Sequence, residues 1–230
     1  MKNTEDSKLD NPVWHSLTET HSQFAVDYNN IKFYHPDYCP FGGFANGEHI
    51  LDPIKNYSSL ADNFFIVGEE PKLPDGLVVK NNLICLQMIL KDKIEIKEKD
   101  IIIKLTEQHS NDLFQLVNFV QPGYFKKNTF LLGEYFGIYK DDKLVAVTGE
   151  RMKMNDLTEV SAVVTHPDHT GKGYAKQLVA HTVNNILQQK KFAFLHVTET
   201  NIAAIRLYEQ LGFKLRRKIS FWQVARLNPD

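Results

Sequence analysis

Apolar and polar positions follow two different rhythms along the 230-residue chain. Up to about residue 100 the apolar runs are short, rich in aromatics and broken by turn residues. A helix is predicted to begin at Asn11 with Pro12 in its first turn, followed by the extended FAVDYNNIKFYH and a glycine turn in PFGGFANGE. After Asp52-Pro53 a short helical stretch leads to two strands, NFFIVGE and LVVKNNLICLQMIL. The charge-dense KDKIEIKEKD then marks the expected boundary between an N-terminal subdomain, 1–100, and a second domain, 101–230.

Beyond that boundary, periods of two and of 3.6 residues alternate. IIIKLT reads as a strand and EQHSNDLFQLVNFV as a helix. EYFGIYKDDKLVAVTGERM reads as two strands around an Asp-Asp turn, and LTEVSAVVT as a third. A helix over 173–190, the strand FAFLHVTE, a helix over 201–211 and a closing hairpin or long strand, FKLRRKISFWQVARL, complete the pattern. This is an α/β chain with helices around one sheet. In the 173–190 helix, Ala175, Leu178, Val179, Thr182, Val183 and Ile186 share one face, so that face should pack on the sheet and leave the N-terminus free.

Composition narrows the partners. Lys and Arg number 27 against 28 Asp and Glu, a formal net charge of -1, so the chain lacks the basic footprint of a nucleic-acid binder and any polybasic membrane anchor. The first ten residues hold no apolar signal core, and LICLQMIL is too short to span a bilayer; a soluble, cytoplasmic protein is expected. Cys39 and Cys85 form no CxxC pair and read as two reduced thiols.

The free helix end is the first chemical clue. A helix N-terminus exposes unpaired N–H groups and partial positive charge, and in HPDHTGKGYA the glycines 171 and 173 leave room for a phosphate to approach. Two common phosphate motifs fail here. The P-loop needs glycine where His166 stands and Ser or Thr where Gly173 stands, and the dinucleotide fingerprint needs a third glycine at Lys176.

HPDHTGKGYA instead resembles the acyl-CoA pyrophosphate loop of the GNAT superfamily of acetyl-CoA-dependent N-acyltransferases, whose pattern of Gln or Arg, two residues, Gly, one residue, then Gly or Ala falls on Thr170, Gly173 and Ala175. Thr170 departs from it by lacking the long polar side chain. NIAAIRLYEQLGF resembles the family's second CoA segment, in which Asn201 opens a helix, Tyr208 follows seven residues later and Gly212-Phe213 closes it. Asn201 is also a good N-cap and Gly212 a good stop on physical grounds alone. The surroundings of Glu150 and the final FWQVAR resemble the glycine acyltransferase-like branch less specifically.

The resemblance, over about 101–230, implies a GNAT-type mixed, largely antiparallel sheet flanked by helices, an N-terminal α/β subdomain shaping the acceptor site, and acetyl transfer from acetyl-CoA to a primary amine of a small molecule or peptide. It implies CoA contacts at Thr170, Gly171, Lys172, Gly173, Tyr174, Ala175 and Lys176, at the strand backbone of Val163, Val164 and Thr165, and at Asn201. Tyr208 is the implied general acid for the departing thiolate. Glu159 is the implied base, with Glu150, beside Arg151, as its competitor. His166 and His169 lack the clustered ligands of a metal site, and His196 reads as a satisfied strand histidine, with a place on the acceptor side as the alternative. A non-catalytic CoA sensor or an interaction module is the alternative, and the acceptor is left open.

Overall fold

The computed structural model describes residues 7–227. Eleven strands form one sheet: β1 (Ala25–Asp27), β2 (Ile31–Tyr34), β3 (Phe41–Phe44), β4 (Asn63–Val67), β5 (Leu77–Leu90), β6 (Ile103–Leu105), β7 (Tyr135–Lys140), β8 (Lys143–Lys153), β9 (Leu157–Thr165), β10 (Phe192–Thr198) and β11 (Lys214–Arg226). Their order across the sheet is β1-β2-β3-β4-β11-β5-β10-β9-β8-β7-β6. Only β3–β4 and β9–β10 pair in parallel, so the mixed, largely antiparallel expectation holds. Among the described residues, five α-helices flank it: α1 (Pro12–Thr18), α2 (Leu51–Ser58), α3 (Ser110–Val120), α4 (Tyr174–Gln188) and α5 (Ile202–Gln210).

Most elements follow local chemistry. Pro12 occupies the first turn of α1, where a missing N–H costs nothing. Asn201 caps α5 by accepting from the Ala204 amide at 3.1 Å, and Gly212, at φ +96°, follows its end. Asp141 and Asp142 both take positive φ in the β7–β8 turn, as a tight two-residue hairpin requires. The closing segment is one long strand, β11, whose register with β5 runs from Lys214 to Arg226.

One expectation is corrected. PFGGFANGE is not simply a turn, because FGGF is the buried strand β3. Its glycines serve close packing: a Cβ on Gly42 would collide with the edge of the Phe33 ring, and one on Gly43 would meet the Asn11 side chain. The charged segment 91–100, the expected boundary, forms no helix or strand of its own. It is strapped along α4 by paired bonds of Asn184 with the Ile94 backbone and by Gln177 Oε1 accepting from the amides of Lys99 and Asp100. The sheet also runs through this point, since β5, from the first hundred residues, lies between β10 and β11.

Apolar cores cover both faces. On one, α4 and α5 bury Val179, Val183, Ile186, Ile205 and Tyr208 against Met88, Leu195 and Val197. The predicted α4 face is buried apart from Ala175, which is partly exposed in the first turn. On the other face, α3 packs Leu113, Leu116 and Val117 against Tyr135, Val147 and Val164.

Candidate active site

Strands β9 and β10 pair only through residues 157–159 and 192–194, after which they separate. While β10 continues its ladder with β5 as far as Thr198, residues 160–165 of β9 have no partner strand on the β10 side. A cavity of about 580 Å³ occupies this split and runs through the sheet, with Val117, Phe125 and Tyr135 on the α3 side and Ala204, Leu207 and Tyr208 on the α5 side.

Inside the split, β9 is bulged. Its register with β8 slips by one residue between the Val147–Val164 and Gly149–Ser161 pairs, and Ala162 takes φ +49°. A left-handed alanine costs about 1–2 kcal/mol and persists only where the surroundings impose it, which is common where backbone is re-aimed toward a ligand. Ser161, Ala162 and Val163 all line the cavity.

The glycine turn stands beside this edge. Gly171 and Gly173 take φ +77° and +78°, values that L-residues adopt only under strain, and no atom lies within 4 Å of where a Cβ would be on either. Gly173 is the N-cap of α4. The backbone amides of residues 171–176 make no hydrogen bond within the described residues, the first helical bond being Gln177 N–H to Gly173 O. Lys172 and Lys176 are exposed alongside. Open space, unspent amides, a helix dipole and two ammonium groups together form a cradle for a phosphate-bearing group.

Tyr208 lines the cavity, buried to 6% exposure and edge-on to Phe213. Burial pushes its phenol well above the ordinary value, so the hydroxyl stays protonated. Its hydroxyl has no hydrogen-bond partner among the described residues. Asn201 also lines the cavity; its side-chain oxygen is spent on the cap.

The carboxylates lie otherwise than expected. Glu159, buried, is not among the cavity-lining residues. It accepts from Arg151 Nε at 2.7 Å, Arg151 Nη2 at 2.8 Å, His196 Nδ1 at 2.8 Å and the Met152 amide at 3.4 Å. Burial alone would favour its neutral acid, but the guanidinium and these hydrogen bonds win and hold the carboxyl below the usual range. A carboxylate so satisfied is a poor proton acceptor, which argues against Glu159 as base. Glu150 points to the α4 face, fully buried, pairing with Lys153 at 2.6 Å and accepting from the Glu134 amide. It is the neighbour of Arg151 in sequence but lies on the opposite face of the sheet. His196 is satisfied as anticipated, its Nε2 lying 3.0 Å from the Gln87 amide nitrogen.

Several lining residues carried no readable signal. Ala162 needs a conformation its identity does not suggest. Phe41, Leu83 and Phe221 come from distant segments, and nothing in the sequence separates Arg151 from the neighbouring charges Glu150 and Lys153. Cys85 also lines the cavity; burial pushes its thiol up to about 12, so it is not a nucleophile at neutral pH.

A family model described as FR47-like protein matches residues 135–222. Among solved structures, a GNAT-family protein from Novosphingobium aromaticivorans DSM 12444 is 31% identical, covers 96% of this chain and 99% of its own, and superposes with a TM-score of 0.87. A GCN5-related N-acetyltransferase from Kribbella flavida (12% identity, 100% and 98% coverage, TM-score 0.66) and a GCN5-related N-acetyltransferase-like protein from Streptococcus suis 89/1591 (16%, 95% and 97%, 0.61) share the fold. No curated protein matches.

Proposed function

This chain belongs to the GNAT superfamily, and from that premise we propose that it is an N-acetyltransferase that moves an acetyl group from acetyl-CoA to a primary amine. One observation carries the reading: the split between β9 and β10 opens directly beside the unspent amides of residues 171–176, and Tyr208 lines the same cavity.

The residues present fit an acyl-CoA. The cradle at Thr170, Gly171, Lys172, Gly173, Tyr174, Ala175 and Lys176 suits a pyrophosphate, because nothing obstructs it above the two glycines. The unpaired edge of β9 at Val163, Val164 and Thr165 suits the amide-bearing pantetheine arm, which would add to the sheet as a strand does. Acetyl-CoA supplies the reactive thioester. An amide of the Ala162 bulge holds the carbonyl oxygen as it gains negative charge. Tyr208 gives its proton to the departing sulfur as the C–S bond breaks and the N–C bond forms.

Among the described residues no Asp or Glu lines the cavity. The amine binds as the free base drawn from solution, one of its two protons leaves to solvent once the N–C bond has formed, and solvent returns a proton to Tyr208. Glu159 acts as a positioning residue, fixing Arg151 and His196. Phe41, Leu83 and Cys85, all from the first hundred residues, shape the acceptor end.

The test is release of CoA from acetyl-CoA in the presence of a panel of primary amines. Amine-dependent release is expected. Tight acetyl-CoA binding with no release on any amine would favour a sensor instead.

A further inference from the structure

The acceptor end of the cavity has an unusual charge balance. Among the described residues, Arg151 is the only Lys, Arg, Asp or Glu in its lining, and the rest is mostly apolar or aromatic, with Phe41, Leu83, Tyr124 and Phe221 nearby. Polyamines, aminoglycoside-like amines and lysine-rich peptides carry several positive charges and are recognised by acidic groups. This lining offers them none, and confronts them with a guanidinium.

Arg151 is also prepared for a ligand. Its Nε and Nη2 are spent on Glu159, and its guanidinium carbon lies 4.6 Å from the centre of the Phe41 ring. Burial alone would lower its pKa, but the attraction of Glu159 offsets this and keeps it protonated. With one edge clamped, the other edge, Nη1 and the second hydrogen of Nη2, has no protein partner among the described residues, and the side chain retains 15% exposure. A planar fork held in this way matches a carboxylate, whose two oxygens accept two parallel N–H bonds.

We propose that the acceptor is a small amino acid-like molecule that bears a carboxylate and an apolar or aromatic side chain, with the carboxylate held by the outer edge of Arg151. This rests on the acetyl-transfer reading and names its substrate class. The carboxylate anchors the molecule on the α3 side of the split, the side chain takes the wall of Phe41, Leu83, Tyr124 and Phe221, and the amino group turns toward the β9 bulge. The N–C bond forms there, the C–S bond breaks, the thiolate takes the Tyr208 proton, one amine proton passes to solvent and solvent returns a proton to Tyr208.

The experiment measures kcat/KM for CoA release on matched acceptors: leucine and phenylalanine, their amides, their decarboxylated amines, and spermidine. The amino acids are expected to exceed their amides and amines by about 100-fold or more, because a site built to bond a group rejects analogues lacking it, with spermidine poorest. Arg151→Met alone strands a buried carboxylate and risks unfolding. The double variant Arg151→Met/Glu159→Gln removes both charges, and its fold is checked by circular dichroism and acetyl-CoA binding. It should lose the preference chiefly through KM of the amino acids, so that amino acids and their amides are turned over with similar kcat/KM. Equal or better turnover of amides, amines or spermidine by the wild type overturns this substrate class while sparing the transferase reading. So does a double variant that slows every acceptor alike, which would make Arg151 purely structural. No release on any acceptor overturns both readings.

Discussion

Arg151 and Glu159 meet across the β8–β9 pair in a two-point ion pair, 2.7 and 2.8 Å, with the carboxylate 1% and the guanidinium 15% exposed. The pair decides how both residues act. Glu159 is committed to holding the arginine and His196, and Arg151 is left with a single free edge toward the cavity.

Glu159→Gln should therefore cost stability, about 3–5 kcal/mol, because it leaves the buried guanidinium without its counter-charge. Urea unfolding at pH 7 measures this. The folded-state pKa of Glu159 is lowered, so its contribution is fully present above the unfolded value of about 4.3 and is lost as pH falls below that. The stability gap between wild type and variant should accordingly narrow below about pH 4.

The same variant should lower kcat/KM by a similar factor from about pH 6 to 9.5, a window spanning histidine-like and amine-like pKa values. A general base would be missed most where the amine is protonated, so the deficit would shrink as pH rises. Parallel profiles are expected, and convergence would restore Glu159 as the base.

Gly173→Asp should weaken acetyl-CoA binding by about tenfold or more. The position needs φ +78°, at a cost of about 1–2 kcal/mol for a residue with a side chain, and the new carboxylate would face the phosphates. Calorimetry reads the affinity; an unchanged Kd would move the phosphate site elsewhere.

For Tyr208→Phe the fold and acetyl-CoA affinity should persist, since the ring stays packed on Phe213, while turnover falls about 100-fold. If single-turnover kinetics show the chemical step undiminished, the hydroxyl has no part in it.

Gly42→Ala tests the strand that was expected to be a turn. Its new Cβ would collide with Phe33 and should cost about 1–3 kcal/mol. Thermal unfolding measures that loss, and acetyl-CoA affinity should be unaffected.

Where a residue acts through its own backbone preference, its role was legible in the sequence. Gly173 opening α4, Asn201 capping α5 and Asp141-Asp142 turning β7 into β8 are local matters, and so is the alternation that marks the strands. What could not be read depends on distant segments. The insertion of β5 between β10 and β11 is long-range pairing, and the glycines of β3 look like a turn until Phe33 is packed against them. Glu159 looked available because its strand position was visible while Arg151 and His196 around it were not. The bulge at Ala162 came from a register slip against β8 that no residue type announces.

The most direct test is to incubate the protein with acetyl-CoA carrying an isotope-labelled acetyl group and leucine or phenylalanine, then to quantify CoA and labelled product by mass spectrometry. N-acetylated amino acid and CoA are expected in equal amounts, with formation suppressed by Tyr208→Phe. CoA released without any N-acetylated amine, across the full panel of acceptors, would contradict acetyl transfer to an amine.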